Sequence, residues 1–77
     1  MAVERAHWEE RVRRFLKAEL KRHGVSYADL AERLKEHGVE ESETSIASKL
    51  SRGTFPATFF VASLVAIGAE VVRLDHL

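Results

Sequence analysis

Cysteine, asparagine and glutamine are absent from this 77-residue chain, proline occurs once, and the formal net charge is zero. Without cysteine there is neither a disulfide framework nor a thiolate metal site, and a reducing compartment is permitted. Without asparagine or glutamine, the chain lacks the side chains that pair with adenine through two hydrogen bonds. No apolar run reaches membrane-spanning length, and the first ten residues, MAVERAHWEE, lack a basic segment followed by an apolar one. The expectation is a soluble cytoplasmic protein with no membrane partner. The four histidines, His7, His23, His37 and His76, have no two-histidine helical spacing and no accompanying carboxylate set, so no metal site is expected. There is likewise no glycine-rich phosphate loop and no nucleophile–base pair, which points away from an enzyme and from a cofactor. The zero net charge also argues against unspecific attraction to nucleic acid, whose usual signature is a basic patch.

Hydrophobic residues make up 45% of the chain and charged residues 31%, enough apolar material for one compact domain over residues 1–77 and too much for a disordered chain. The charge is unevenly placed. Residues 1–24 hold seven Lys/Arg against four Glu, residues 25–43 two against six Asp/Glu, and residues 44–77 three against two. A basic first third therefore precedes an acidic middle that ends in Glu40, Glu41 and Glu43.

Trp8, Val12, Phe15, Leu16 and Leu20 recur at helical spacing and predict a first helix over about residues 6–23, stopped by Gly24, with Trp8 covering the core. Its arginines and lysines form either a solvated face with pairs such as Glu10 with Arg14, or a set of phosphate contacts. Ser26 reads as the N-cap of a second helix, about residues 27–37, with Asp29 completing a capping box and Val25 stapled against Leu30. Leu30, Ala31 and Leu34 share its inward face, and Gly38 ends it. Ser42 caps a third helix, about residues 43–51, whose inward side is expected to carry Ile46, Ala47 and Leu50 while Thr44, Ser45, Ser48, Lys49 and Arg52 look outward. Two short helices joined by a turn, the second presenting small polar and basic groups, are the layout of a helix-turn-helix.

Pro56 opens a fourth helix, about residues 56–67, that contains no charged residue. Phe60, Leu64 and Ile67 form one line toward the core, which leaves Phe59, Val61 and Val65 in want of cover. The segment 69–77 is rich in β-branched residues and reads as a short strand or a final short helix. Pairing of a lone strand with the same segment of a second copy would satisfy its backbone and shield the fourth helix, so Phe59, Val61, Val65, Val71, Val72 and Leu74 are the expected homodimer interface.

Ser26, Leu30-Ala31, Leu34, Gly38-Val39, Leu50 and Arg52-Gly53, followed by an apolar helix ending in Ile67-Gly68, together resemble the DNA-binding domain of phage lambda repressor and its relatives. The chain is also similar to a small bacterial family described as helix-turn-helix-like without an assigned function. The resemblance covers about residues 12–68 and implies an all-α, four-helix lambda-repressor-like fold acting as a dimeric transcriptional regulator on double-stranded DNA. Tyr27, Ser42, Lys49 and Arg52 would then contact the backbone, and Thr44, Ser45 and Ser48 the base edges. In two respects the chain departs from those relatives. Lys35, Glu36 and His37 lengthen the second helix, and the usual buried aliphatic position falls on Ala47, with Ile46 one place off, which leaves the outward set open by one residue. A protein-interaction module, adaptor or antitoxin-like, whose acidic turn of Glu40, Glu41 and Glu43 meets a basic partner is the other function this scaffold would suit.

Overall fold

In the computed structural model, which describes residues 2–77, the four helices are α1 (Ala2–Arg22), α2 (Tyr27–Glu36), α3 (Glu43–Arg52) and α4 (Ala57–Ala66), followed by a single 3-10 turn at Leu74–His76. Helix α1 starts four residues before the apolar stripe requires, because Ala, Glu and Arg are strong helix formers and nothing in that stretch breaks the helix. Those early turns run past the other helices, and residues 4–8 are all exposed. Trp8 is consequently no core cover: it is 54% exposed, with the Arg11 guanidinium 4.4 Å from its ring centre.

The ends of α1, α2 and α4 share one closing arrangement. The amide of the residue after the glycine donates to a carbonyl five residues back, Val25 to Leu20, Val39 to Leu34 and Ala69 to Leu64, each at 2.9 Å. In all three the donor residue is apolar and packs on the core, so each stop also places the next segment. The start of α2 is the reciprocal box, with the Asp29 amide donating to the Ser26 hydroxyl at 3.1 Å and the Ser26 amide to the Asp29 carboxylate at 3.2 Å. The Ser26 backbone amide and hydroxyl hold the Asp29 carboxyl below the usual carboxylate range.

Helices α1 and α2 both pack on α3 and α4. The core is Leu16 and Leu20 from α1, Val25, Leu30 and Leu34 from α2 and its approach, Ile46 and Leu50 from α3, and Phe59, Leu64 and Ile67 from α4 and its end. Phe59 is the correction here. It is 3% exposed and part of this core, so it is not available to a second subunit. The inward arc of α4 is centred on Ser63, which places Phe59 on one edge of it and half-buried Phe60 on the other. Phe55, just before the helix, meets both rings, Phe59 edge-on at 5.3 Å and Phe60 stacked at 6.2 Å.

One further expectation is narrowed. Of the short strand and the final short helix expected after Gly68, the structure shows the second: residues 69–73 have no regular secondary structure and lead into the 3-10 turn. With a single such segment in the chain, nothing offers it a ladder. It lies along α1 instead, where the Arg11 Nε donates to the Leu77 carbonyl at 2.7 Å.

One glycine and one serine set the limits of packing. Gly53 closes α3 with φ +74°, and a Cβ there would stand 2.8 Å from the Glu9 carbonyl oxygen of α1. Ser63 is fully buried and its hydroxyl has no hydrogen-bond partner among the described residues. Substitutions to alanine at these two sites are therefore expected to act in opposite directions. Gly53→Ala should cost about 3 kcal/mol, from the left-handed backbone and the collision with α1, whereas Ser63→Ala should add about 1 kcal/mol by removing an unpaired buried hydroxyl. Urea midpoints of the two variants measure both; a lower midpoint for Ser63→Ala would mean that its hydroxyl is satisfied in solution.

Candidate functional site

The rotation of α3 decides what the protein shows to a partner. Ile46 and Leu50, one turn apart, are its fully buried residues, while Ala47 is only half-buried. Taking Ala47 as inward turned the expected outward face too far toward Ser45 and Lys49. With Ile46 and Leu50 as the inward pair, the opposite side is Ser48, flanked by Thr44, Ser51 and Arg52, and all four are exposed. Ser51 was missing from the expected set. Its spacing, seven residues after Thr44 and three after Ser48, would have found it.

Three of the expected contact residues are engaged elsewhere. The Ser42 hydroxyl accepts from the Ser45 amide at 3.0 Å and the Ser45 hydroxyl accepts from the Ser42 amide at 3.0 Å, a capping box built from two serines. The Ser45 hydroxyl in turn donates to the Glu41 carboxylate at 2.6 Å. The Lys49 ammonium donates to the same Glu41 oxygen at 3.1 Å and lies 5.5 Å from the Phe59 ring centre. With side chains only 20% and 12% exposed, Lys49 and Glu41 form a half-sheltered ion pair that ties the α2–α3 connection to the flank of α3. Lys49 and Ser45 are thus structural, and Glu41 leaves the acidic turn: only Glu40 and Glu43 of that cluster are exposed.

The remaining expected residues divide between core and surface. Tyr27, in the first turn of α2, is half-buried against the core. Arg52 is exposed, and its guanidinium donates to the Ser48 hydroxyl at 2.6 Å, one helical turn back. Among the described residues Arg52 forms no ion pair, so its charge is available on this face. Thr44, Ser48 and Ser51 have short side chains, which let another molecule approach the α3 backbone closely and meet hydroxyls that both donate and accept. On α4, Val61 and Val65 are 56% and 55% exposed, and beyond it Val71 and Leu74 are 73% and 76% exposed. Val72 is half-buried against the core.

Other features offer less chemistry. Open grooves flank α1, and the one lined by Phe15, Glu19, Arg22, Val71, Arg73 and His76 has most of its charges paired internally: Arg22 with Glu19 at 2.9 Å and Arg73 with Asp75 at 2.9 Å. No helix is long and apolar enough to cross a membrane. Among the described residues no group of three His, Asp or Glu side chains is placed to hold a metal ion.

Residues 8–72 match the model of the family described as Domain of unknown function (DUF6471), a span that runs from the exposed tryptophan of α1 to the half-buried valine after α4. The chain belongs to that family. No curated protein and no solved structure matches it.

The Glu41–Lys49 pair generates a prediction that separates flank from face. Lys49→Met should keep the packing against Phe59 yet lose roughly 1–2 kcal/mol of stability through the stranded Glu41 carboxylate, and the double change with Glu41→Gln should recover most of it. Thermal melts of the two variants and the parent measure this. An unaltered melting temperature in Lys49→Met would show the pair to be solvated.

Proposed function

We propose that this member of the family binds double-stranded DNA as a small two-fold regulator of lambda-repressor type, with the outward face of α3 entering the major groove. What carries the reading is the composition of that face: Thr44, Ser48 and Ser51 are short and hydroxylic, Arg52 is a free cation at one end, and Ser45 and Lys49 are turned aside. Short donors and acceptors along about 12 Å of helix suit base edges and the phosphates beside them. The reading is narrower than the sequence alone implies. Thr44, Ser48 and Ser51 face the bases, Arg52 holds a phosphate or a guanine, and Ser42, Ser45 and Lys49 fix the helix that carries them. With no asparagine or glutamine in the chain, base preference is modest and rests on hydroxyls and one guanidinium.

A second copy covers the apolar side. Val61 and Val65 stand out from a helix with no charge, and Val71 and Leu74 add exposed apolar surface after it, which supports a two-fold dimer. Phe59 has no part in that surface, and the tail contributes side chains rather than a strand. The second reading, an interaction module for a basic protein, is favoured by the exposed carboxylates Glu40 and Glu43. These carboxylates repel phosphate, so reversing them distinguishes the two functions.

Fluorescence anisotropy with a random duplex at low and moderate salt tests the DNA reading. Binding should weaken steeply with salt, Arg52→Ala should weaken it about five- to tenfold on every sequence, and Glu40→Lys with Glu43→Lys should strengthen it. Absence of binding at low salt, or a loss of affinity on reversing the glutamates, would contradict it. For the dimer, sedimentation equilibrium at tens of micromolar should give twice the 8.7 kDa chain mass, falling to a single chain for Val61→Glu with Val65→Glu. A single-chain mass for the unaltered protein would remove the dimer from the account.

A further inference from the structure

Resting on the duplex reading above, we propose that the phosphate backbone is held chiefly by the outward stripe of α1, at Arg14, Lys17 and Lys21, and not by α3. These positions recur at three- and four-residue spacing on the side of α1 away from buried Leu16 and Leu20, and all three side chains are exposed. Ala18, exposed between them, is too short to obstruct the stripe. Arg14 touches Glu10, 3.1 Å away, while among the described residues Lys17 and Lys21 form no ion pair.

The argument follows from where free positive charge remains. Most other cations are committed: Lys49 to Glu41, Arg22 to Glu19, and Arg73 to Asp75. Arg33 is turned to the Ala66 carbonyl of α4. The exposed side of α2 carries Asp29, Glu32 and Glu36 against Arg33 and Lys35, so its exposed charge is net negative and attracts a polyanion less than α1 does. Arg52 alone serves the face of α3, and one phosphate contact contributes a slope of only about −0.9 in log affinity against log salt. Adding the α1 stripe takes the total to about four contacts and the slope to about −3.6. Arg14 to Lys21 spans about 10 Å of helix axis, long enough to reach neighbouring phosphates of one strand, whose separation through space is about twice the roughly 3.4 Å axial rise. A regular row of phosphates is thus the occupant that fits a regular row of cations. Sequence preference and electrostatic affinity would reside on different helices of this chain.

The test is anisotropy titration of two unrelated duplexes over a salt series, using the full chain, Lys17→Gln with Lys21→Gln, and Arg52→Ala, with poly-L-glutamate as a second probe. Circular dichroism melts establish that the exposed substitutions leave the fold in place. The paired glutamine variant should bind at least tenfold more weakly at low salt, and its slope should be shallower by about two, with the ratio between the two duplexes unchanged. An unchanged affinity and slope in that variant, while the parent binds, would overturn the α1 assignment and leave the α3 reading intact. Failure of the parent itself to bind duplex at low salt would remove the DNA reading and this inference with it. Equal affinity of the parent for poly-L-glutamate and duplex would also overturn the inference, by making α1 a surface for acidic protein.

Discussion

One close backbone approach is the contact on which the rest depends: Gly53 set against the Glu9 carbonyl of α1, where an added Cβ would stand 2.8 Å from that oxygen. It fixes the C-terminal end of α3 on α1. The N-terminal end is fixed by Ser42, Ser45, Glu41 and Lys49, which join the approach to the helix through hydrogen bonds and one half-sheltered ion pair. A helix of ten residues clamped at both ends has its rotation determined, and with it the identity of every outward side chain. Ile46 and Leu50 then fill the core because they point inward in that setting.

That clamp changes the electrostatics of the surface. Placing a lysine beside Glu41 removes one cation from the face of α3 and one carboxylate from the acidic turn together, leaving a nearly neutral hydroxylic strip with a single arginine. The zero net charge of the chain therefore conceals an uneven distribution: exposed carboxylates outnumber exposed cations on α2 and near the start of α3, and exposed cations outnumber exposed carboxylates on α1. At physiological salt, with screening over about 8 Å, such a distribution acts on partners locally and not through the whole molecule's charge. Surface charge placement, not total charge, sets what this domain attracts.

Much of the architecture was legible in local sequence. Ser26 with Asp29 fixed the start of α2, and Leu30 with Leu34 fixed its inward face, because a capping box and an i,i+4 leucine pair leave no competing arrangement. What remained hidden depended on neighbours. Phe59 and Phe60 are adjacent and chemically alike, so only the crossing of α4 over α1 and α2 could tell which is buried. Ala47 is small enough for either side of α3, and reading it as inward shifted the candidate contact set toward Ser45 and Lys49. The pairing of Glu41 with Lys49 spans eight positions and a turn, beyond any helical periodicity. Trp8 was misjudged because an apolar residue near the start of a helix in a small domain has few elements to cover it.

Amide chemical-shift mapping with a short duplex tests the central claim most directly, because it reads every backbone position of the clamped helix at once. The account predicts the largest shifts at Thr44, Ser48, Ser51 and Arg52, with Ile46 and Leu50 nearly still. Shifts gathered instead at Glu40, Glu43 and the outer side of α2, or spectra unaltered by an excess of duplex, would contradict it.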